Sequence, residues 1–208
     1  MLLAQTLATV PAMITTALPT RTTTLPGRHI RLEPLAASHT PDLFAAAGGD
    51  EDVWRWTRHR TPRTEQEMGA IVAHLLAEAA LVPFAVVHRD TGRAIGVSCY
   101  ADASVEGEQL EIGGTWYGRA HWGGAVNPEC KLLLLTHAFE DLGMGRVVWK
   151  TDHRNERSRG AVGRLGAVEE GTFRRHVRRP DGTWRDSVWF SMLRDEWPAA
   201  KARLQERI

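Results

Sequence analysis

The sequence EIGGTWYGRAHWGGAVNPECK, residues 111–131, decides the fold that we expect. Its first seven residues, EIGGTWY, favour a β-strand, and the Gly113–Gly114 pair inside them predicts a bulge or a close backbone approach. A loop rich in small residues follows. A helix is then predicted, with Asn127 as its N-cap and Pro128 at its first position.

This order of strand, small-residue loop and capped helix suits the binding of an anion. Backbone N–H groups converge on a phosphate only where side chains do not block them, and the helix dipole adds positive charge. Plain tight turns also use small residues, so the pattern alone leaves an ordinary turn as an equal alternative. It is not a P-loop, because no Gly-Lys-Ser/Thr follows, and it lacks the G-x-G-x-x-G fingerprint. A phosphorylated ligand would therefore be held mainly by backbone.

Length and composition predict one domain with a sizeable core, since the chain has 208 residues and 43% hydrophobic content. A formal charge of +1 gives no reason to expect DNA or an anionic membrane as a partner. Cys99 and Cys130 lie far apart without a C-x-x-C motif, which argues against a metal site or a disulfide and for a cytoplasmic protein. Residues 1–25 are expected to be an N-terminal extension of unknown role, and residues 26–208 the domain.

Periodicity and turn signals predict the order β-α-α-β-β-β-α-β-α-β-β-α for the remainder of the chain. Thr64 and Glu67 form a capping box, and Asn155 opens a later helix. Strands are expected at residues 28–35, 82–88, 94–100, 111–117, 146–150, 168–179 and 184–193. This order predicts an α/β fold with a largely antiparallel sheet and one parallel pair around the central helix.

Five segments resemble, in the expected order, the GCN5-related N-acetyltransferases (GNAT), and among them the RimJ/RimL-like branch that acetylates ribosomal-protein N-termini. They are GRHIRLEPL (27–35), EIGGTWY (111–117), HWGGAVNPECKLLLLTHAFEDLG (121–143), TDHRNERSRGAVGRLGA (151–167) and WFSMLRDEW (189–197). The resemblance implies a single-domain GNAT fold, in which a mixed, mostly antiparallel sheet splays at a parallel strand pair and is flanked by helices.

The resemblance also implies acetyl-coenzyme A as the co-substrate, with its pyrophosphate on the backbone of loop 122–127. The family pattern Gln/Arg-x-x-Gly-x-Gly/Ala is met at Gly123 and Ala125, but Ala120 replaces its long polar side chain, so Lys131 or Arg159 is expected to supply a phosphate contact. The resemblance places Asn155 beside the pantetheine arm and Ser158 near the sulfur. The expected coenzyme-binding residues are Trp116, Tyr117, Trp122, Gly123, Gly124, Ala125, Val126, Asn127, Lys131, Asn155, Ser158 and Arg159.

Direct acetyl transfer to an amine needs a base, a polarised carbonyl and help for the departing thiolate. Glu111 is the candidate base, acting through a water, with a salt-bridged strand residue as the alternative. Backbone N–H groups near Gly113–Gly114 are candidates for polarising the thioester. Val162 stands where many family members place a tyrosine, so Ser158 is the substitute general acid; an ordinary surface serine is the equal alternative.

The acceptor is the least determined part of the function. Trp54, Trp56 and Trp184 are candidate walls of its cleft, and Glu33, Asp52 and Asp102 are candidates for attracting a cationic amine. A protein N-terminal amine is favoured, while a small-molecule or antibiotic amine, a catalytically silent coenzyme-binding module and an RNA-associated protein using the arginines of residues 174–179 stay open. No metal, DNA or membrane partner is expected, and a homodimer is left open.

Overall fold

The computed structural model, which describes residues 15–208, contains one eight-stranded sheet. The strands are β1 Leu25–Pro26, β2 Ile30–Pro34, β3 Leu81–His88, β4 Ala94–Ser104, β5 Gln109–Tyr117, β6 Arg146–Asp152, β7 Val168–Arg178 and β8 Trp184–Leu193. Their order in the sheet is β1-β2-β3-β4-β5-β6-β8-β7, and every neighbouring pair is antiparallel except β5 and β6. The predicted fold class, including its single parallel pair, is confirmed.

Helices cover both faces of this sheet. They are α1 Thr40–Ala47, α2 Glu51–Trp54, α3 Glu65–Ala77, α4 Val126–Thr136, α5 Glu156–Gly163 and α6 Trp197–Gln205, with a π-helical extension of α4 over His137–Asp141. The predicted caps of α3 and α5 are confirmed, because Thr64 Oγ1 accepts from the Glu67 N–H at 3.2 Å and Asn155 Oδ1 from the Ser158 N–H at 3.1 Å. Helix α2 was not predicted. The predicted cap of α4 is wrong, because this helix already begins at Val126 and Asn127 lies inside it.

A separate hydrophobic core lies on each face of the sheet. One core packs α4 and α6 against the strands and includes Leu134, Phe190 and Trp197. The other packs α1, α2 and α3 on the opposite face and includes Trp54 and Trp116. Burial of these large apolar side chains supplies the main stabilisation of the fold.

The two parallel strands separate after the first three residues of each. β5 and β6 pair only from Gln109–Arg146 to Glu111–Val148, although β5 continues to Tyr117 and β6 to Asp152. The register between β4 and β5 shifts near Gly113, and Gly114 has a φ of +60°, a conformation that glycine adopts at little cost. The predicted bulge and splay are therefore confirmed.

The segment before β1 runs along the protein surface where the structure describes it. Arg21 donates to the carbonyls of Leu76 and Leu81, and Ala17 N–H donates to the Leu142 carbonyl at 2.9 Å. The first fourteen residues of the expected extension lie outside the described residues. Within residues 15–208, no helix is long and apolar enough to cross a bilayer, and His, Cys, Asp and Glu side chains do not gather into a group of metal ligands.

Candidate active site

The loop between β5 and α4 presents backbone N–H groups that have no acceptor in the part of the chain that the structure describes. Trp122 anchors the loop, since its indole N–H donates to the Tyr117 carbonyl at 2.9 Å. Within residues 15–208, no atom accepts from the N–H of Gly123, Gly124 or Ala125. A Cβ placed on Gly123 or Gly124 would meet nothing within 4 Å, so these amides are not shielded. They stand at the N-terminus of α4, where the helix dipole favours an anion.

The side chains of Trp116 and Tyr117 face the two cores rather than the splay. Trp116 is 6% exposed and packs on Trp54, with 4.8 Å between ring centroids. The Tyr117 hydroxyl donates to Asn127 Oδ1 at 3.2 Å, and burial raises the pKa of this phenol. Contact of these two residues with a coenzyme is thus restricted to their main chain. Val126 is also buried, at 7% exposure.

The expectation for Lys131 as a phosphate contact needs correction. Lys131 is 5% exposed, and its ammonium donates to Thr115 Oγ1 at 2.9 Å on the core side of α4. Burial lowers the pKa of Lys131, as is usual for a cation removed from water. Arg159 is more accessible: its guanidinium, 39% exposed, lies 3.3 Å from Glu169 and 3.3 Å from the His153 carbonyl. Of Lys131 and Arg159, only Arg159 therefore remains a candidate for contacting a phosphate.

A cation–aromatic contact that the sequence did not indicate joins the two sides of the splay. Arg157 on α5, the helix after β6, places its guanidinium carbon 3.5 Å from the ring centroid of Trp122, which follows β5. Burial lowers the pKa of Arg157. Arg119 links the same loop to α2, because it forms ion pairs with Asp50 at 2.6 Å and Asp52 at 2.8 Å. The loop is thus held from both sides.

Glu111 lies at the last paired position before the splay and forms an ion pair. Its carboxylate is 2.7 Å from Lys150 Nζ, and the two side chains are only 12% and 14% exposed. Lys150 also contacts Asp102 at 3.0 Å and lies 4.5 Å from the ring centroid of Trp189. Burial opposes the charge of Lys150, but its hydrogen bonds to Glu111 and Asp102 outweigh that effect and raise its pKa. Sequence reasoning missed Lys150, because only the register of β5 against β6 brings it to Glu111.

The comparisons with known proteins agree with this geometry. The acetyltransferase (GNAT) domain family matches residues 29–168, which is more than half of the chain. The chain belongs to the GNAT acetyltransferase family. A GCN5-related N-acetyltransferase structure from Brucella melitensis is 30% identical, with a TM-score of 0.87 over 95% of this chain and 90% of that one.

Two further relatives of this GNAT chain are named as candidate acetyltransferases. A candidate acetyltransferase from T. thermophilus is 40% identical, with a TM-score of 0.83 over 92% of this chain and 98% of that one. YdaF of Bacillus subtilis (strain 168), named as a candidate ribosomal N-acetyltransferase, is 35% identical over 89 residues, 42% of this chain. The matched segment spans 48% of that curated relative. Its name agrees with the branch that the sequence resembles.

Helix α5 brings the remaining GNAT candidates to the carboxyl end of β6. The Asn155 side chain caps the helix, and the backbone N–H of Ser158 is its donor. The Ser158 side chain is half-buried, and no hydrogen bond of its hydroxyl occurs among the described residues. Val162, one turn later, is 6% exposed and belongs to the core, so no polar group from that position reaches the site.

Of the three expected tryptophan walls, Trp56 lines a cleft and Trp54 lies in the core. Trp56 borders a cleft between the loop after α2 and the β7–β8 hairpin. Trp54 is a core residue: it is 2% exposed and its indole N–H donates to the Ala47 carbonyl at 2.8 Å. Trp184 is 44% exposed on the hairpin and lies 5.0 Å from the Arg175 guanidinium. The assignment of Trp54 as a wall is therefore wrong, whereas that of Trp184 stays a prediction.

Proposed function

We propose that this protein transfers the acetyl group of acetyl-coenzyme A directly to a primary amine, with a protein N-terminal amine as the favoured acceptor. The observation that carries the proposal is the splay of β5 from β6 beyond Glu111 and Val148, beside a loop with free N–H groups. The separated strand edges suit an extended ligand arm that pairs with them as an added strand would.

The residues present fit such a coenzyme. The amides of Gly123, Gly124 and Ala125 suit its pyrophosphate, because they lack acceptors within the described chain and stand at a helix N-terminus. Arg159 is available for a second phosphate contact. Asn155 and Ser158 would lie along the pantetheine arm. The coenzyme supplies an acetyl thioester, and the chain's own residues orient it and manage the protons.

Glu111 is the proposed base. A lysine amine has a pKa of about 10.4 and an α-amine of about 8, so an acceptor amine is largely or partly protonated at neutral pH. Glu111 accepts that proton through a water, while Lys150 holds the carboxylate in place. The acceptor nitrogen then forms its bond to the acetyl carbon as the carbon–sulfur bond breaks. The acylated nitrogen then loses its surplus proton, which the Ser158 hydroxyl relays to the departing thiolate, so that the serine ends neutral and the coenzyme leaves as a thiol. The thiolate needs only modest help because thiols have a pKa of about 8.5.

The preference for an N-terminal amine is supported by the name of the Bacillus subtilis relative, which describes it as a candidate ribosomal N-acetyltransferase. An enzyme acting on ribosomal proteins would work in the cytoplasm. We therefore expect peptides to be better acceptors than polyamines or aminoglycosides.

The test is thiol release from acetyl-coenzyme A with peptides of varied N-termini, polyamines, amino acids and aminoglycosides. Turnover with peptides and its loss in Glu111→Gln would support the proposal. Turnover with small amines alone would move the protein to metabolite or antibiotic modification. Tight coenzyme binding without turnover on any acceptor would contradict the proposed activity and favour a silent binding module.

A further inference from the structure

A basic cleft lies between the loop after α2 and the β7–β8 hairpin, and its Asp152 lies two residues after Lys150 on β6. Five arginines and a single carboxylate line it together with Trp56. These charged residues are Arg55, Arg58, Arg178, Arg179, Arg185 and Asp152. The cleft therefore carries an excess of positive charge, although the chain as a whole has a formal charge of only +1.

Two of these arginines already have carboxylate partners. Arg179 lies 2.6 Å from Asp152, which is itself 2% exposed, and Arg55 lies 2.7 Å from Asp52. For Arg58 and Arg185, by contrast, no carboxylate oxygen lies within 4.0 Å anywhere in residues 15–208. Both guanidinium groups are thus available to a ligand.

Arg185 is held as a fixed donor rather than a mobile surface side chain. Its Nε donates to Ser187 Oγ at 2.9 Å, and the same hydroxyl lies 3.0 Å from His176 Nδ1. Burial lowers the pKa of Arg185 and outweighs the opposing effect of the Asp152 carboxylate, while the positive charge of Arg58 adds to the lowering. A partly desolvated guanidinium that no carboxylate of residues 15–208 contacts is costly, and a bound carboxylate would relieve that cost.

The carboxylates that the sequence offered for attracting a cationic amine are already engaged. Glu33 pairs with Arg31 at 2.6 Å, Asp52 with Arg119 at 2.8 Å, and Asp102 with Lys150 at 3.0 Å. The surroundings of His176 are mainly positive. Its pKa is lowered by burial first and then by the positive charges of Lys150, Arg185 and Arg58. A second positive charge on the acceptor would be repelled here.

We infer that the acceptor carries a carboxylate close to its reactive amine, and that Arg58 and Arg185 bind this carboxylate while the amine faces Glu111. The inference rests on the proposed function and narrows its substrate class. Guanidinium groups match carboxylates through paired, charge-assisted hydrogen bonds, which fix orientation as well as affinity. The carboxylate has two sources: an acidic residue just after the N-terminus of a peptide, or an acidic amino acid.

The experiment compares kcat/KM for matched peptides that differ only at the second residue, with Ser-Glu, Ser-Gln and Ser-Lys N-termini, and for free aspartate and glutamate. We expect Ser-Glu to exceed Ser-Gln by about tenfold or more, the worth of one charge-assisted hydrogen bond, and Ser-Lys to be poorest. Higher kcat/KM for the free amino acids would support the inference and assign the carboxylate to a small molecule.

Variants of the two arginines test whether they cause the preference for Ser-Glu over Ser-Gln. Arg58→Gln and Arg185→Gln should each reduce the preference for Ser-Glu over Ser-Gln to about threefold or less. Arg207→Gln, which removes an exposed arginine beyond α6, should leave the preference unchanged. Thermal unfolding of each variant checks its fold, and Arg58, being exposed, remains informative if Arg185→Gln is unstable.

Equal kcat/KM for Ser-Glu and Ser-Gln without a higher value for free aspartate or glutamate, or a preference for the acidic acceptor that survives in Arg58→Gln, would overturn the inference. Either result with turnover intact leaves the proposed function standing, whereas no turnover on any acceptor refutes the function itself. A single-stranded RNA that binds in a salt-dependent, Arg58-dependent manner and inhibits turnover would assign the cleft to RNA and also overturn the inference.

Discussion

Glu111 is both a candidate base and one half of a nearly buried ion pair, and a double-mutant cycle with Lys150 separates these roles. Glu111→Gln keeps the shape and one acceptor oxygen but cannot take up a proton. Lys150 then retains Asp102, at 3.0 Å, and the face of Trp189, at 4.5 Å. The loss of stability should thus be about 1–2 kcal/mol, below the roughly 3–5 kcal/mol typical of breaking a fully buried pair.

The loss of activity should be much larger than the loss of stability. A positioned general base contributes about 10²- to 10⁴-fold, so kcat/KM of Glu111→Gln should fall by that factor at about pH 8. Lys150→Met should lose about 2–3 kcal/mol of stability, since it leaves a carboxylate that is 12% exposed without its main partner, but should lose less activity. Activity is less affected in Lys150→Met because Glu111, the proposed base, is still present.

The double variant Glu111→Gln/Lys150→Met decides between the two roles. Removing both charges should return the free energy of unfolding, measured with urea, to within about 1 kcal/mol of the wild type. Thiol release should nevertheless stay as low as in Glu111→Gln. If the double variant regained activity together with stability, Glu111 would be a structural ion-pair residue and the assignment of the base would be refuted.

Three further predictions concern stability. Glu129→Gln should lower the free energy of unfolding in urea by about 2–3 kcal/mol. The Glu129 carboxylate is 2% exposed and accepts from the backbone N–H groups of Arg28, His29 and Ile30, whereas the amide nitrogen of glutamine would face these donors. An unchanged urea midpoint would contradict this prediction. Gly96→Ala should cost about 2 kcal/mol or more in thermal unfolding, because its Cβ would overlap the Trp116 carbonyl, whereas Gly124→Ala, with nothing within 4 Å, should cost far less. Hydrogen bonds from Arg146 lower the pKa of Glu170 to about 2. This pair therefore stabilises the fold above the ordinary carboxylate pKa and loses its effect as the pH falls from about 4.5 to 2. The free energy of unfolding of the wild type should exceed that of Glu170→Gln by about 1 kcal/mol at pH 6, an amount reduced by the exposure of the pair, and by almost nothing at pH 2.

The sequence predicted the features that depend on local chemistry. The Gly113–Gly114 bulge, the N-cap at Thr64 and the cap at Asn155 each involve residues within a few positions of one another, and all three are present. The second half of the predicted capping box is wrong, because the Glu67 carboxylate accepts from the Arg63 N–H and not from the Thr64 N–H. The order of β2 to β8 along the chain followed from turn signals and periodicity, whereas β1, two residues long, was not predicted. Helix α2 was missed because four residues are too few to show a helical period.

The features that the sequence did not predict depend on tertiary packing. Whether Lys131 points to solvent or to the core depends on the rotation of α4 against the sheet, which is set by distant partners such as Tyr100, whose hydroxyl donates to the Leu134 carbonyl. Lys150 meets Glu111 only through the parallel register of two strands far apart in sequence. The basic cleft likewise combines a loop at Arg58 with a hairpin at Arg185.

The most direct measurement of the central claim is a titration of the ¹⁵N-labelled protein with acetyl-coenzyme A, followed by the amide resonances of Gly123, Gly124 and Ala125. These N–H groups have no acceptor within the described residues. We predict large downfield shifts of their amide protons as they bind the pyrophosphate, and much smaller shifts with pantetheine, which lacks it. Saturable coenzyme binding that leaves these three resonances unmoved would contradict the account.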